Sequence, residues 1–141
     1  MINRVLFSSA NGCWKTPPEL YKALDAEFHF DDDPCPEAGI FGLDRSWGQC
    51  SYVNPPYSNI REWMEKGLAE CRLRKTVVFN VPARTDTRWF HDYVLPFASE
   101  IRFIRGRLKF EGAKFNAPFP SMIVVFQSQS LDWLDIPRVP L

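Results

Sequence analysis

Residues 51–81, SYVNPPYSNIREWMEKGLAECRLRKTVVFNV, read as strand, turn, helix and strand. Ser51-Tyr52-Val53 is a short apolar strand that runs into Asn54-Pro55-Pro56-Tyr57. Ser58 stands where it can cap a helix through about Arg72. Ile60, Trp63, Met64, Gly67, Leu68 and Cys71 then share one face, the stripe that a helix buries against a sheet. Thr76 to Val81 is an unbroken β-branched and aromatic run, the pattern of a buried parallel strand.

Upstream, Thr16-Pro17-Pro18-Glu19 has the spacing of a capping box with Pro17 at the first helical position. Leu20, Leu24 and Phe28 follow at four-residue spacing, which predicts a helix over 17–28. His29 to Asp33 reads as a short strand stopped by Pro34, and residues 34–49, with three glycines and no periodicity, as a loop. Downstream, Asp86 or Thr87 starts a third helix that runs to about Leu95 and ends at Pro96. Glu100 to Ile104 is a strand, Arg107 to Phe110 its continuation past Gly106, and Ser121 to Gln127 the last strand. The segment 131–141, with two prolines, reads as a surface wrap. Strands alternating with helices, then two strands joined by a loop, predict an α/β sheet of about five strands with an antiparallel edge.

A chain of 141 residues suits one domain over 1–141 with one core and one active site. Lys plus Arg equals Asp plus Glu at 17 each, so overall charge makes no case for a polyanionic partner, and any such face must come from local clustering. No apolar run approaches the roughly 20 residues that span a bilayer, and MINRVLFSSANG lacks a signal-peptide core, so a soluble cytoplasmic protein without a membrane partner is expected. Cys13, Cys35, Cys50 and Cys71 form no CxxC pair, a poor zinc pattern, and are expected as free thiols.

Chemistry concentrates at Asn54-Pro55-Pro56-Tyr57, at the carboxyl end of a strand, where open α/β sheets hold their ligands. An amine conjugated to a ring is a poor nucleophile because its lone pair is delocalised. Hydrogen bonds accepted from both of its N–H groups favour a more tetrahedral nitrogen. The Asn54 side-chain oxygen and the Pro55 carbonyl can be those acceptors, on a turn stiffened by Pro55 and Pro56, and Tyr57 offers an aromatic face for a base. The same tetrapeptide also suits a plain strand-to-helix turn.

Several separate segments carry a wider likeness: WKTPPELYKALDAEFHF, the DPCP of Asp33 to Pro36, GLDRSWGQCSYVNPPYSNIREWMEKG, RLKFEG and APFPSMIVVF. In this order, from about Trp14 to Phe126, they resemble the Dam-type phage DNA N6-adenine methyltransferases. The resemblance implies a Rossmann-like methyltransferase fold, S-adenosylmethionine as cofactor and double-stranded DNA as substrate. The methyl group would go to the N6 amine of a flipped adenine by direct displacement. It also implies that Asp33, with Cys35 beside it, stands in the methionine-binding loop and accepts from the cofactor's ammonium, while Thr16 and Lys15 meet its carboxylate. Here that loop departs from the usual glycine-rich form, with Pro36, Glu37 and Ala38 before Gly39.

One crossover unit needs about 30 residues, so the interval from Asp33 to Asn54 is too short for the strands a full methyltransferase sheet has there. The fold is therefore expected to be reduced. Asp44 is the best remaining acid for the adenosine end of the cofactor, with pairing to Arg45 or capping of a turn as its other reading. Asp31 and Asp32 read as a solvated strand end. For DNA, Arg84, Arg88, Arg105, Arg107, Lys109 and Lys114 follow strand ends, with Trp89, Phe110 and Phe115 among them. Such a set contacts phosphates without reading sequence. His29 and His91 are unremarkable, and no general base is needed, since the proton can leave after transfer. Alternatives are methylation of RNA or of a protein glutamine, or a catalytically idle DNA-binding relic.

Overall fold

The computed structural model describes residues 15–36 and 41–128. Cys13 and the 131–141 segment lie outside them. In chain order the elements are α1 (Pro18–Phe28), β1 (Cys50–Val53), α2 (Ile60–Cys71), β2 (Thr76–Pro82), α3 (Leu95–Phe97), β3 (Glu100–Phe103) and β4 (Ser121–Gln127). The sheet is mixed, in the order β1-β2-β4-β3. β1 and β2 run parallel, and β4 is antiparallel to both β2 and β3.

Alternation along the strands sorts the core. Val77, Phe79, Val81, Met122, Val124 and Phe126 face α2, where they meet Trp63, Met64, Leu68 and Cys71. Tyr52, Val78, Ile123 and Val125 face the other way and pack with Leu24 of α1. The face predicted for α2 is the buried one, Ile60, Trp63, Met64, Gly67, Leu68 and Cys71. Gly67 is there because the helix comes close to β2: a Cβ added to it would lie 2.5 Å from the Phe79 ring.

Among the described residues the sheet has four strands rather than five. His29 to Asp33 contributes a single parallel bridge, Asp32 to Ser51. His29 turns into the left-handed region at φ 56°, closing α1, so the chain has only a few extended residues before Pro34. Arg107 to Phe110 does not extend β3. That segment is irregular and closes on itself through the Ala117 N–H to Leu108 carbonyl bond at 2.7 Å.

Helix ends differ too. Pro17, not Thr16, precedes α1, and neither Thr16 nor Ser58 supplies a cap, because a 3-10 turn over Tyr57–Asn59 leads into α2. Pro96 does not end the third helix. A π-helical turn over Phe90–Val94 widens the backbone ahead of it, with the Leu95 N–H reaching back to Phe90, so the missing proline donor is tolerated and α3 continues to Phe97. No helix among the described residues is long and apolar enough to cross a membrane.

Candidate active site

The carboxyl end of β1 opens into a cavity of about 310 Å³, within the range of small-molecule sites. Its wall includes Lys15, Thr16, Asp33, Cys35 and Asn54, five residues that the sequence assigns to the site from three separate stretches. Pro18, Tyr21, Tyr52 and Glu111 complete it.

Each acid of the Asp31-Asp32-Asp33 run has its own surroundings. Asp31 is no bare strand end, since its carboxylate accepts from the backbone of Gln49 and Cys50 at 3.1 and 3.0 Å. Asp32 takes the Arg45 guanidinium in a fork at 2.7 and 2.8 Å and the Gly48 N–H at 2.9 Å. That guanidinium holds the Asp32 carboxyl below the usual range. Both acids thus anchor the loop entering β1. Asp33 turns inward, and burial pushes its carboxyl up to about 6 against a backbone hydrogen bond from Cys35. Its Oδ1 is buried with no hydrogen-bond partner among the described residues.

Asn54 is buried at the end of β1, one step beyond the Val53 to Phe79 pair. Its amide nitrogen donates to Thr16 Oγ1 at 3.3 Å. Thr16 Oγ1 and Tyr52 Oη share a 2.6 Å hydrogen bond, and Asn80 Nδ2 donates to Tyr52 Oη at 3.2 Å. Burial raises the Tyr52 phenol well above its ordinary value. Tyr21, from α1, meets the Tyr52 ring edge-on with centroids 5.1 Å apart. Its phenol is also raised, first by burial and then by Asp25 and Asp33.

Pro55 and Pro56 are buried under the turn rather than in the cavity wall, and Tyr57 is half-buried outside it. The Tyr57 ring packs at 5.1 Å from Phe119 and 6.4 Å from Phe110, inside a small cluster formed by the 107–120 loop. That loop is tied to the cavity: the Glu111 N–H donates to the Lys15 carbonyl at 2.8 Å, and the two side chains are 3.6 Å apart. It is tied to β2 as well, through the Ala83 N–H to Pro120 carbonyl bond at 2.8 Å.

Asp44 is exposed on the 3-10 turn Phe41–Asp44 and does not reach the cavity wall, and Arg45 pairs with Asp32 instead of with it. Arg84, Arg88, Arg107 and Lys109 are all exposed. Arg84 follows β2, with its guanidinium carbon 6.0 Å from the centre of the Phe119 ring. Arg84 and the loop carrying Arg107 and Lys109 therefore lie at the same end of the sheet as Asn54, beyond the carboxyl ends of β2 and β3. Tyr21, Tyr52, Asn80 and Glu111 had no part in the expected site. Asn80, a lone polar side chain inside an apolar strand, is the one with a visible sequence signal.

Fold and site together define an α/β protein with a cavity at the carboxyl end of a parallel strand, walled by polar side chains of which Tyr52 and Asn54 are buried. The chain belongs to the DNA N-6-adenine-methyltransferase (Dam) family, whose model matches residues 41–131. The matched span holds Asn54 to Tyr57 and the whole sheet, while Lys15, Thr16, Asp33 and Cys35 precede it. No curated protein and no solved structure matches the chain.

Proposed function

We propose that this chain transfers a methyl group from S-adenosylmethionine to the N6 amine of adenine in double-stranded DNA, with the base swung out of the duplex to reach Asn54. The observation that carries this reading is the buried Asn54 amide on the cavity wall, in a turn within the span matched by an adenine N6-methyltransferase family.

The residues suit the amino-acid end of the cofactor. Asp33 offers a buried carboxylate oxygen without a partner among the described residues, which an ammonium group would satisfy and whose raised proton affinity a cation would relieve. Lys15 stands on the same wall for the carboxylate, with Thr16 beside it. When bound, S-adenosylmethionine supplies an electrophilic methyl group on a sulfonium.

The chain's own contribution is orientation. With its amide nitrogen engaged by Thr16, Asn54 directs its oxygen to one N–H of the target amine, and the Pro55 carbonyl takes the other. The nitrogen lone pair is thereby aimed along the transfer direction. Tyr57 offers the base one face of a ring held in place by Phe110 and Phe119. The proton leaves after transfer, so no side chain acts as general base. Arg84, Arg88, Arg107 and Lys109 take the phosphates flanking the base.

The test is transfer of tritiated methyl groups to duplex DNA, RNA and protein, with calorimetric titration of S-adenosylmethionine. Label in N6-methyladenine of duplex DNA is the expected result. Label in RNA or in glutamine would change the acceptor, and no cofactor binding would make the chain a DNA-binding relic.

A further inference from the structure

Four polar side chains from three parts of the chain form a line through the α1 side of the sheet: Asn80, Tyr52, Thr16 and Asn54, joined at 3.2, 2.6 and 3.3 Å. Asn80 is fully buried on β2, and its Oδ1 has no hydrogen-bond partner among the described residues. An unmet carbonyl in a sheet interior is destabilising, and the neighbours of Asn80 on the strand are Val77, Val78, Phe79 and Val81. Packing alone therefore favours an apolar residue at this position. The register explains its placement: beyond the Val53 to Phe79 pair, the next step of the parallel strands sets Asn54 beside Asn80, with Tyr52 on the same face.

We infer that Asn80 and Tyr52 are positioning residues that hold the Asn54 amide in the orientation methyl transfer needs, acting through Thr16. The argument rests on the reading of Asn54 as the amine acceptor. An asparagine amide is nearly the same shape turned over, so something must keep its nitrogen on Thr16 and its oxygen on the target. Thr16 has one hydroxyl proton. Donated to Tyr52, that proton leaves only lone pairs facing Asn54, which the amide can meet only through nitrogen. Asn80 in turn donates to the phenol oxygen and fixes the place to which Thr16 points. The Tyr52 proton is then left over at the cavity wall, available to a ligand acceptor. Without the phenol, the Thr16 hydroxyl turns to donate to Asn54, and the amide flips.

The experiment compares Tyr52→Phe, Thr16→Val, Thr16→Ser and the double variant Tyr52→Phe/Thr16→Val with the full wild-type chain. One readout is kcat and KM for methyl transfer to adenine-containing duplex, and the other is the Asn54 side-chain NH2 signal in NMR. Tyr52→Phe should lower kcat by about five- to tenfold, the loss of one neutral hydrogen bond, with KM for DNA little changed. Thr16→Val should do the same, Thr16→Ser should retain activity, and the double variant should lose no more than the worse single one. In both damaging variants the Asn54 NH2 resonances should move and exchange faster with solvent. Unchanged Asn54 resonances in Tyr52→Phe would overturn the relay, as would losses that multiply in the double variant. Should the wild-type chain transfer no methyl to DNA, the functional reading fails alone, because the NMR comparison still decides the relay.

Discussion

The ring of Tyr57 meets the ring of Phe119 nearly perpendicularly, at 82° with centroids 5.1 Å apart. This contact joins the turn after β1 to the loop before β4, so the residue assigned to the base is also a brace for the 107–120 loop. Tyr57→Ala should cost about 1–3 kcal/mol of stability, from lost apolar burial and the aromatic pair, together with most of the activity. Tyr57→Phe should keep both. Chemical denaturation alongside a methyl-transfer assay separates the two losses, and a stable but inactive Tyr57→Ala protein would show that the brace is unimportant.

Asn54→Ala should cut methyl transfer by about a hundredfold or more, the scale for removing one preorganised polar group, while cofactor binding persists. Turnover measured beside calorimetric binding checks it. Near-full methylation with a melting point several degrees lower would reduce the tetrapeptide to a turn.

Asp33 supplies the pH dependence. Its carboxyl is raised to about 6 by burial, so it binds a proton in the folded chain between about 4 and 6 where an unfolded aspartate does not. Stability from this group is therefore present at low pH and declines as pH rises through 6. Cofactor affinity runs the opposite way, because an ammonium needs the ionised carboxylate, and should rise as pH climbs from 5 to 7. Asp33→Asn should flatten the affinity profile, and Asp33→Ala should weaken binding by about 1–3 kcal/mol. Titration calorimetry at several pH values checks both, and an unflattened Asp33→Asn profile would move the cofactor elsewhere.

Arg107→Ala and Lys109→Ala should each weaken DNA binding alike on all sequences and lower the salt slope of binding by about 1, as removal of a phosphate contact does. Fluorescence anisotropy across a salt series reads both effects. Slopes equal to wild type would remove these residues from the interface.

Gly67→Ala should destabilise the fold by about 1–3 kcal/mol, since the new methyl group meets the Phe79 ring at 2.5 Å in a packed core. A thermal melt decides it, and a variant as stable as wild type would show that Phe79 can yield.

Much was legible before folding because it is local. Period and composition within a dozen residues set β2, β4 and the buried face of α2, and the chemistry proposed for the Asn54 to Tyr57 turn lies in adjacent residues. Thr16 shows the limit of such reading: beside Pro17 and Glu19 it looks like a cap, yet its hydroxyl goes to Tyr52, 36 residues away. Pro96 shows another, since a π-helical turn that ends two residues ahead absorbs it.

By itself the sequence determined the α/β class, the position of Asn54 at a strand end and the residue types around it, because side-chain period and turn chemistry need no distant partner. Only the tertiary structure decided which of three consecutive acids lines the cavity, that Tyr52 and Asn80 stand behind Asn54, that Glu111 closes the cavity and that Asp44 stays outside it. Those outcomes depend on parallel strand register and on desolvation. Both arise only when segments far apart in sequence exclude water from one another.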